Sequence, residues 1–157
     1  MNPILIREGT LDDPRVIALL QVHVERARSE TARGSAHALD VDALKTPDIR
    51  FFTAWDHDTL LGCGALKRLD AEHGELKSMH TAEAHRGRGT GDAMVKHLIA
   101  TAREMGLTRL SLETGAWAYF QPAHRLYQRH GFTDGPPFGA YAADPNSRFM
   151  TLDLTSV

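Results

Sequence analysis

The sequence predicts an α/β fold in which short strands and amphipathic helices alternate along one domain. Apolar runs end at glycines or at turn-forming clusters, which is typical of strands. Other segments carry apolar residues at helical spacing, which is typical of helices with one buried face. A glycine-rich turn joins an extended segment to the most regular of these helices. A chain of 157 residues fits a single domain, residues 1–157.

The N-terminal part predicts a strand, a helix and a short helical turn. Residues 4–8 form an apolar run typical of a strand. Asp13 followed by Pro14 is a typical helix start, and apolar residues then recur at helical spacing. Residues 29–38 lack this spacing and are interpreted as a mobile loop. A helical turn is predicted over residues 41–44.

The rest of the chain predicts a hairpin, a central strand, a helix, a strand, a helix and a last strand. Turn-forming residues separate the two runs of the hairpin, and glycines stop both helices. In chain order these elements cover residues 49–55 and 60–68, residues 75–81, the segment between Gly91 and Gly106, residues 107–114, the segment between Gln121 and Gly131, and residues 149–154.

Composition excludes several classes of protein. Hydrophobic residues make up 42% and charged residues 24%, which is ordinary for a globular domain. The net charge of −2 argues against general nucleic-acid binding, which needs a basic face. The single cysteine, Cys63, cannot form an internal disulfide and fits a reducing compartment. Because no apolar stretch is long enough to span a membrane, we expect a cytoplasmic protein.

The most informative stretch is the glycine-rich turn over residues 85–91, between the central strand and the following helix. Three glycines at alternate positions leave room for backbone N–H groups to converge on an anion at the helix start. Arg86 and Arg88 add positive charge where a pyrophosphate would lie. The turn therefore predicts a phosphate-binding site.

Two common nucleotide motifs do not fit this turn. The dinucleotide fingerprint needs a third glycine where the chain has Asp92, and a Walker loop needs Lys-Ser or Lys-Thr after its last glycine. The pattern that fits is R-x-x-G-x-G, formed by Arg86, Gly89 and Gly91. An ordinary strand-to-helix turn is the alternative, since six-residue patterns recur by chance.

A second motif lies in the predicted helix that stops at Gly131. Five residues match the pattern A-x-x-L-Y-x-x-x-G-F, namely Ala123, Leu126, Tyr127, Gly131 and Phe132. With the glycine-rich turn at the expected distance before it, this motif makes the chain resemble the GNAT family of N-acetyltransferases. The resemblance is strong over residues 74–132 and only architectural elsewhere.

The resemblance implies a fold and a cofactor. The family's fold is of the α+β kind, a mixed and mostly antiparallel sheet with helices on both faces and a cleft for acetyl-CoA where two strands splay apart. Acetyl-CoA would serve as acetyl donor without a metal. Homodimers are frequent in the family, but no stretch of this sequence establishes one.

The resemblance also implies which residues bind the cofactor. In the family, amides of the glycine-rich turn hold the pyrophosphate of coenzyme A, and main-chain groups at the end of the central strand meet the pantetheine arm. Many members carry an asparagine where this chain has Phe120, so that contact cannot be carried over. The implied cofactor-binding residues are Met79, His80, Thr81, Arg86, Gly87, Arg88, Gly89, Thr90, Gly91 and Tyr127.

Two catalytic residues are predicted. Tyr127 matches the tyrosine that many members use as general acid towards the sulfur, and a phenol keeps its proton at neutral pH. Packing on the buried face of its helix is the alternative. Glu75 lies where some members place a general base, and it is expected to share a strand face with Lys77 and Met79.

The general base has several alternatives. Glu75 and Lys77 are two residues apart, so a surface ion pair between them is an equal interpretation. Glu113 and His80 are the other candidate bases, and in several members water alone carries the proton. His80 and His85 have no cysteine or carboxylate at a recognisable ligand interval, so no metal site is predicted.

The predicted function is transfer of an acetyl group from acetyl-CoA to a primary amine of a small molecule or peptide. The resemblance implies direct attack in a ternary complex. The alternative is a non-catalytic acyl-CoA-binding or protein-interaction module of the same fold. Retention of Tyr127 favours the enzyme.

Overall fold

The computed structural model describes residues 3–29 and 41–155. Within these residues, seven strands form one sheet in the order β1-β2-β3-β4-β5-β7-β6. The strands are β1 (Leu5–Glu8), β2 (Ile49–Asp56), β3 (Thr59–Arg68), β4 (His73–Thr81), β5 (Arg109–Gly115), β6 (Thr133–Asp134) and β7 (Ser147–Asp153). The α-helices are α1 (Pro14–Ser29), α2 (Thr90–Glu104) and α3 (Gln121–Arg129).

The sheet is mixed and mostly antiparallel, as predicted. Every neighbouring pair of strands runs antiparallel except β4 and β5, which are parallel. The two-residue strand β6 escaped the sequence analysis because it is too short to show a periodic pattern. A short 3₁₀ helix, Asp42–Lys45, lies where a helical turn was predicted. The predicted loop over residues 29–38 falls almost entirely outside the described residues.

Local sequence explains where the helices begin and end. The Asp13 carboxylate accepts a hydrogen bond from the Arg15 amide at 2.9 Å, which caps the first turn of α1. Helix α2 begins after Gly89, whose φ is +82°. It ends before Gly106, whose φ of +79° is the left-handed conformation that commonly stops a helix. Pro122 occupies the first turn of α3, where its missing N–H has no helical partner to lose.

The helices cover both faces of the sheet, as predicted. On one face, α2 and α3 pack over a large core that contains Leu66, Leu98 and Leu110, all fully buried. On the other face, α1 packs over a smaller core that contains Leu20 and Trp55. None of the helices in the described part of the chain is long and apolar enough to cross a membrane.

Strands β4 and β5 splay apart halfway along their length. They pair only from His73 opposite Arg109 to Leu76 opposite Leu112. Beyond that point β4 stays paired with β3 as far as Thr81, whereas β5 stays paired with β7. The two parallel strands therefore open into a cleft, which confirms the predicted splayed architecture.

Candidate functional site

A cavity of about 460 Å³ is lined by the end of β4, the start of α2 and helix α3, with His23 from α1. The end of β4, the glycine-rich turn and the first turn of α2 form one wall. Helix α3 and the residues just before it form the other wall. Both sequence motifs, distant in the chain, therefore line one cavity.

Three glycines of the turn serve two different purposes. Gly87 and Gly89 have φ of +81° and +82°, and a Cβ at either would meet no atom within 4 Å. They are needed for their left-handed conformation rather than for space. A Cβ at Gly91 would lie 3.0 Å from a Leu126 methyl carbon, so the third glycine lets α2 approach α3 closely.

The start of α2 offers several donors to an anion. Thr90 is 3% exposed, and its Oγ1 has no hydrogen-bond partner among the described residues. The free N–H groups of the first helical turn and the helix dipole favour negative charge there. Arg86 also lines the cavity and forms no ion pair within the described residues. Thr90 and Arg86 therefore fit a phosphate group.

Arg88 does not point where the sequence analysis placed it. Its guanidinium donates to the Asp56 carboxylate at 2.6 Å, and Arg88 is absent from the described residues that line the cavity. Asp56 ends strand β2, so this ion pair ties the turn to the β2–β3 hairpin. A carboxylate on another element takes the charge of Arg88 here, so its contribution at a pyrophosphate stays a prediction that would require it to leave Asp56.

A bulge in β4 sets the direction of the residues at its end. Ser78 has a φ of +54°, and the register with β3 shifts opposite Gly64. The bulge turns Met79 towards α2, where a Cβ on Gly64 would lie 2.7 Å from the Met79 sulfur. The prediction that Met79 shares a face with Glu75 is therefore wrong. Since β5 has splayed away, the edge of β4 beyond Leu76 is not paired with that strand.

Tyr127 both packs and faces the cavity. Its side chain is 6% exposed and meets the Phe132 ring edge-on, with 5.8 Å between ring centroids. It also lines the cavity wall. Burial raises the pKa of Tyr127 above its ordinary value. The phenol therefore keeps its proton at neutral pH and is available as a donor.

A pair of histidines also lines the cavity. The Nδ1 atoms of His23 on α1 and His80 on β4 are 3.3 Å apart. Burial lowers the pKa of His23 to about 4, so this ring is neutral at physiological pH. The sequence analysis missed His23, because nothing local links it to a residue 57 positions away.

Glu75 lies in a buried hydrogen-bonded cluster on the face opposite α2. Its carboxylate accepts from the Lys77 ammonium at 2.9 Å and from the Tyr141 hydroxyl at 2.7 Å. Lys77 also donates to the Tyr141 oxygen at 2.9 Å. Glu75 is absent from the described residues that line the cavity. The Glu75–Lys77 pair is real but buried, since their side chains are 4% and 9% exposed.

The segment before α3 differs from the family pattern at Phe120. The Phe120 ring packs directly on Gly115, where an added Cβ would lie 2.1 Å from the ring. The buried His124 holds the same glycine through a 2.7 Å hydrogen bond to its carbonyl oxygen. Phe120 therefore fixes the end of β5 against α3. Trp117, two residues after Gly115, is 45% exposed, whereas Trp55 is a core residue at 1%.

Cys63 is not a nucleophile. It is 2% exposed, its thiol donates to the Ser78 carbonyl oxygen at 3.2 Å, and burial raises its pKa to about 12. A thiol that stays protonated is unreactive. Within residues 3–29 and 41–155, no group of three or more His, Cys, Asp or Glu side chains is placed to hold a metal ion.

The chain is similar to known acetyltransferases over nearly all of its length. A model of the Acetyltransferase (GNAT) family matches residues 16–132. Uncharacterized N-acetyltransferase YedL from Escherichia coli is 44% identical over 149 residues, covering 95% of this chain and 94% of that protein. IAA acetyltransferase from Azospirillum brasilense is 37% identical over 155 residues, covering 98% and 99%.

A solved structure extends the similarity to three dimensions. The crystal structure of the proposed acyl-CoA N-acyltransferase from Klebsiella pneumoniae superposes with a TM-score of 0.78 and 28% identity. The match covers 96% of this chain and 97% of that chain. It therefore takes in the splayed strands and both walls of the cavity.

Proposed function

Because the chain belongs to the GNAT family of acetyltransferases, we propose that it transfers the acetyl group of acetyl-CoA to a primary amine of a small molecule or peptide. The observation that carries this proposal is the cavity between β4 and α3. It has phosphate-binding groups at one end and a buried, protonated tyrosine on its wall.

Residues of the cavity fit each part of coenzyme A. The amides of Gly87 to Gly91, the unpartnered Thr90 hydroxyl and the Arg86 guanidinium would hold the diphosphate. The edge of β4 from Met79 to Thr81, which β5 does not pair with, would bind the pantetheine arm by strand-like hydrogen bonds. When bound, acetyl-CoA supplies an acetyl group already activated as a thioester.

Tyr127 is the proposed general acid. Its side chain lines the cavity, and its raised pKa keeps the proton that a departing thiolate needs. Direct attack by the amine is favoured because the only cysteine, Cys63, is buried and protonated. No acyl-cysteine step is therefore proposed.

We retain Glu75 as the proposed general base, and we propose that the proton of the amine reaches it through Tyr141. Its carboxylate already accepts hydrogen bonds from Lys77 and Tyr141. Tyr141 donates its O–H to Glu75, and the proposed path of the proton to this carboxylate runs through that hydroxyl. Burial and the Glu75 charge raise the pKa of Tyr141, so it acts as a neutral relay and not as an anion.

The place of action and the partners complete the proposal. We propose a cytoplasmic enzyme that needs no nucleic acid or membrane, supported by the net charge of −2 and the single buried thiol. The acceptor is proposed to be small, in keeping with the name of the Azospirillum relative.

The test is thiol release from acetyl-CoA with a panel of amines that includes amino acids, polyamines and peptide N-termini. We expect at least one amine to raise thiol release well above the rate with water alone. The Tyr127→Phe variant should lose this turnover and still bind acetyl-CoA. If the substitution leaves the rate unchanged, Tyr127 is not the acid. If no amine is acetylated by a protein that does bind acetyl-CoA, the chain is a binding module.

A further inference from the structure

An ion cluster closes the phosphate end of the cavity. Asp92 in the first turn of α2 accepts hydrogen bonds from Arg129 and His130 at the end of α3. Asp92 on α2 and Arg129 on α3 both line the cavity, as does Arg86 of the glycine-rich turn. The sequence analysis assigned no role to Arg129 or His130.

The two partners of Asp92 are held differently. His130 donates at 2.8 Å, and its side chain is only 11% exposed. Arg129 makes two longer contacts, 3.2 and 3.3 Å, with a side chain that is 56% exposed. An exposed ion pair of this kind contributes little to stability. Arg129 can therefore leave Asp92 without leaving that carboxylate unpaired.

A carboxylate at this position works against an anion bound nearby. The helix dipole, the turn amides and Arg86 all attract negative charge to the start of α2, whereas Asp92 repels it. Burial raises the pKa of Asp92, but the hydrogen bonds from His130 and Arg129 together outweigh it and hold the pKa below its ordinary value, so Asp92 stays charged. The positive charge of Arg129 offsets that repulsion.

We propose that Arg129 is a phosphate-binding residue, which exchanges Asp92 for a phosphate of the bound coenzyme A. The Arg129 side chain is long and exposed, and it lines the cavity. Its guanidinium can bind two phosphate oxygens at once. Asp92 then competes with the cofactor for the same arginine. The inference rests on the proposed binding of coenzyme A. It adds a residue of α3 to a phosphate site otherwise formed by the glycine-rich turn and the start of α2.

The test measures the affinity of the full chain for coenzyme A by calorimetry, in variants with opposite expected signs. Arg129→Gln should weaken binding about five- to tenfold, the range for one partly exposed charge-assisted contact. Asp92→Asn should strengthen binding about two- to fivefold, because it frees Arg129 and removes a negative charge. Arg125→Gln, an exposed arginine on the same helix that does not line the cavity, is the matched control and should change nothing.

Dephospho-coenzyme A identifies which phosphate Arg129 meets. If Arg129 binds the 3′-phosphate, the wild-type protein loses affinity for dephospho-coenzyme A and Arg129→Gln binds both forms alike. If Arg129 binds the diphosphate, the variant loses the same factor with both forms. Either result supports the proposal, because the arginine then contacts a phosphate.

A purely structural clamp between α2 and α3 predicts another pattern. Both Arg129→Gln and Asp92→Asn would then lower the melting temperature. The two variants would not shift the affinity for coenzyme A in opposite directions. Arg129→Gln with wild-type affinity for both forms of the cofactor would overturn the inference. If the wild-type protein does not bind coenzyme A, the proposed function itself is contradicted. The two failures are therefore distinguishable.

Discussion

The two ends of the cavity are assembled in different ways. The phosphate end is built mainly from consecutive residues, since the glycine turn, Thr90 and Asp92 lie within one short segment. The proposed reaction end draws on residues from three elements that line the cavity, His23 from α1, His80 from β4 and Tyr127 from α3. A local turn can hold a phosphate by its own backbone geometry, whereas a reaction site of side chains depends on how the whole sheet and its helices pack. Substitutions at the two ends should therefore fail in different ways.

Removing the Tyr127 hydroxyl should have the largest effect on turnover. Tyr127→Phe keeps the contact with Phe132 and deletes the proton donor. We expect kcat to fall by about 10²- to 10⁴-fold, with the affinity for acetyl-CoA little changed. Steady-state kinetics measures kcat, and calorimetry on the same preparation measures the affinity for acetyl-CoA. A tenfold loss of affinity with unchanged kcat would mean that Tyr127 only packs.

Glu75→Gln should damage the fold as well as the chemistry. The substitution leaves the Lys77 ammonium buried without its carboxylate, which costs about 3–5 kcal/mol in comparable buried pairs. Chemical denaturation measures the loss.

The double variant Glu75→Gln with Lys77→Met is the control, because it removes the unpaired charge. It should recover most of the stability. If it also recovers turnover, Glu75 has no role as a base.

His23 should make stability depend on pH. Its pKa is about 4 in the folded protein against 6.5 as its ordinary value, so the unfolded chain binds a proton that the folded one excludes. The stabilisation is complete above pH 6.5 and is lost as the pH falls towards 4, by about 3 kcal/mol. Denaturation at several pH values, compared with His23→Gln, isolates this contribution. Identical pH profiles for the two proteins would contradict it.

Gly89→Ala should have a smaller effect, confined to the phosphate end. The φ of +82° is strained for any L-side chain, at about 1–2 kcal/mol, although space for the methyl group is open. We expect weaker binding of coenzyme A and only a modest drop in melting temperature. Gly106→Ala, at a similar φ outside the cavity, is the matched control and should leave binding intact.

Cys63→Ala should leave turnover unchanged, the smallest of these effects. Its thiol is buried and protonated, so neither the reaction nor a thiol reagent should reach it in the native protein. Kinetics of the variant and mass spectrometry after treatment with a thiol reagent check both statements. A lost activity with an intact fold would point to an acyl-cysteine step.

The order of elements and both motifs could be predicted because each depends on short stretches of sequence. The splayed sheet was expected only from the resemblance to the GNAT family that the two motifs carry. The direction of the Arg88 side chain could not be predicted, because its partner Asp56 lies at the end of β2, far away in the sequence. The bulge at Ser78 reversed the face of Met79 without any glycine or proline at that position to signal it. His23, Arg129 and Tyr141 were missed for the same reason, since only the packed fold brings them to their partners.

The most direct test of the account compares the affinity of the wild-type chain for acetyl-CoA and for acetyl-pantetheine, which lacks the adenosine 3′-phosphate and the diphosphate group. If the glycine turn with Arg86 grips that group, acetyl-CoA should bind at one site per chain and about a hundredfold or more tighter than acetyl-pantetheine. Equal affinities, or no heat with acetyl-CoA, would contradict the assignment of the cavity as the donor site.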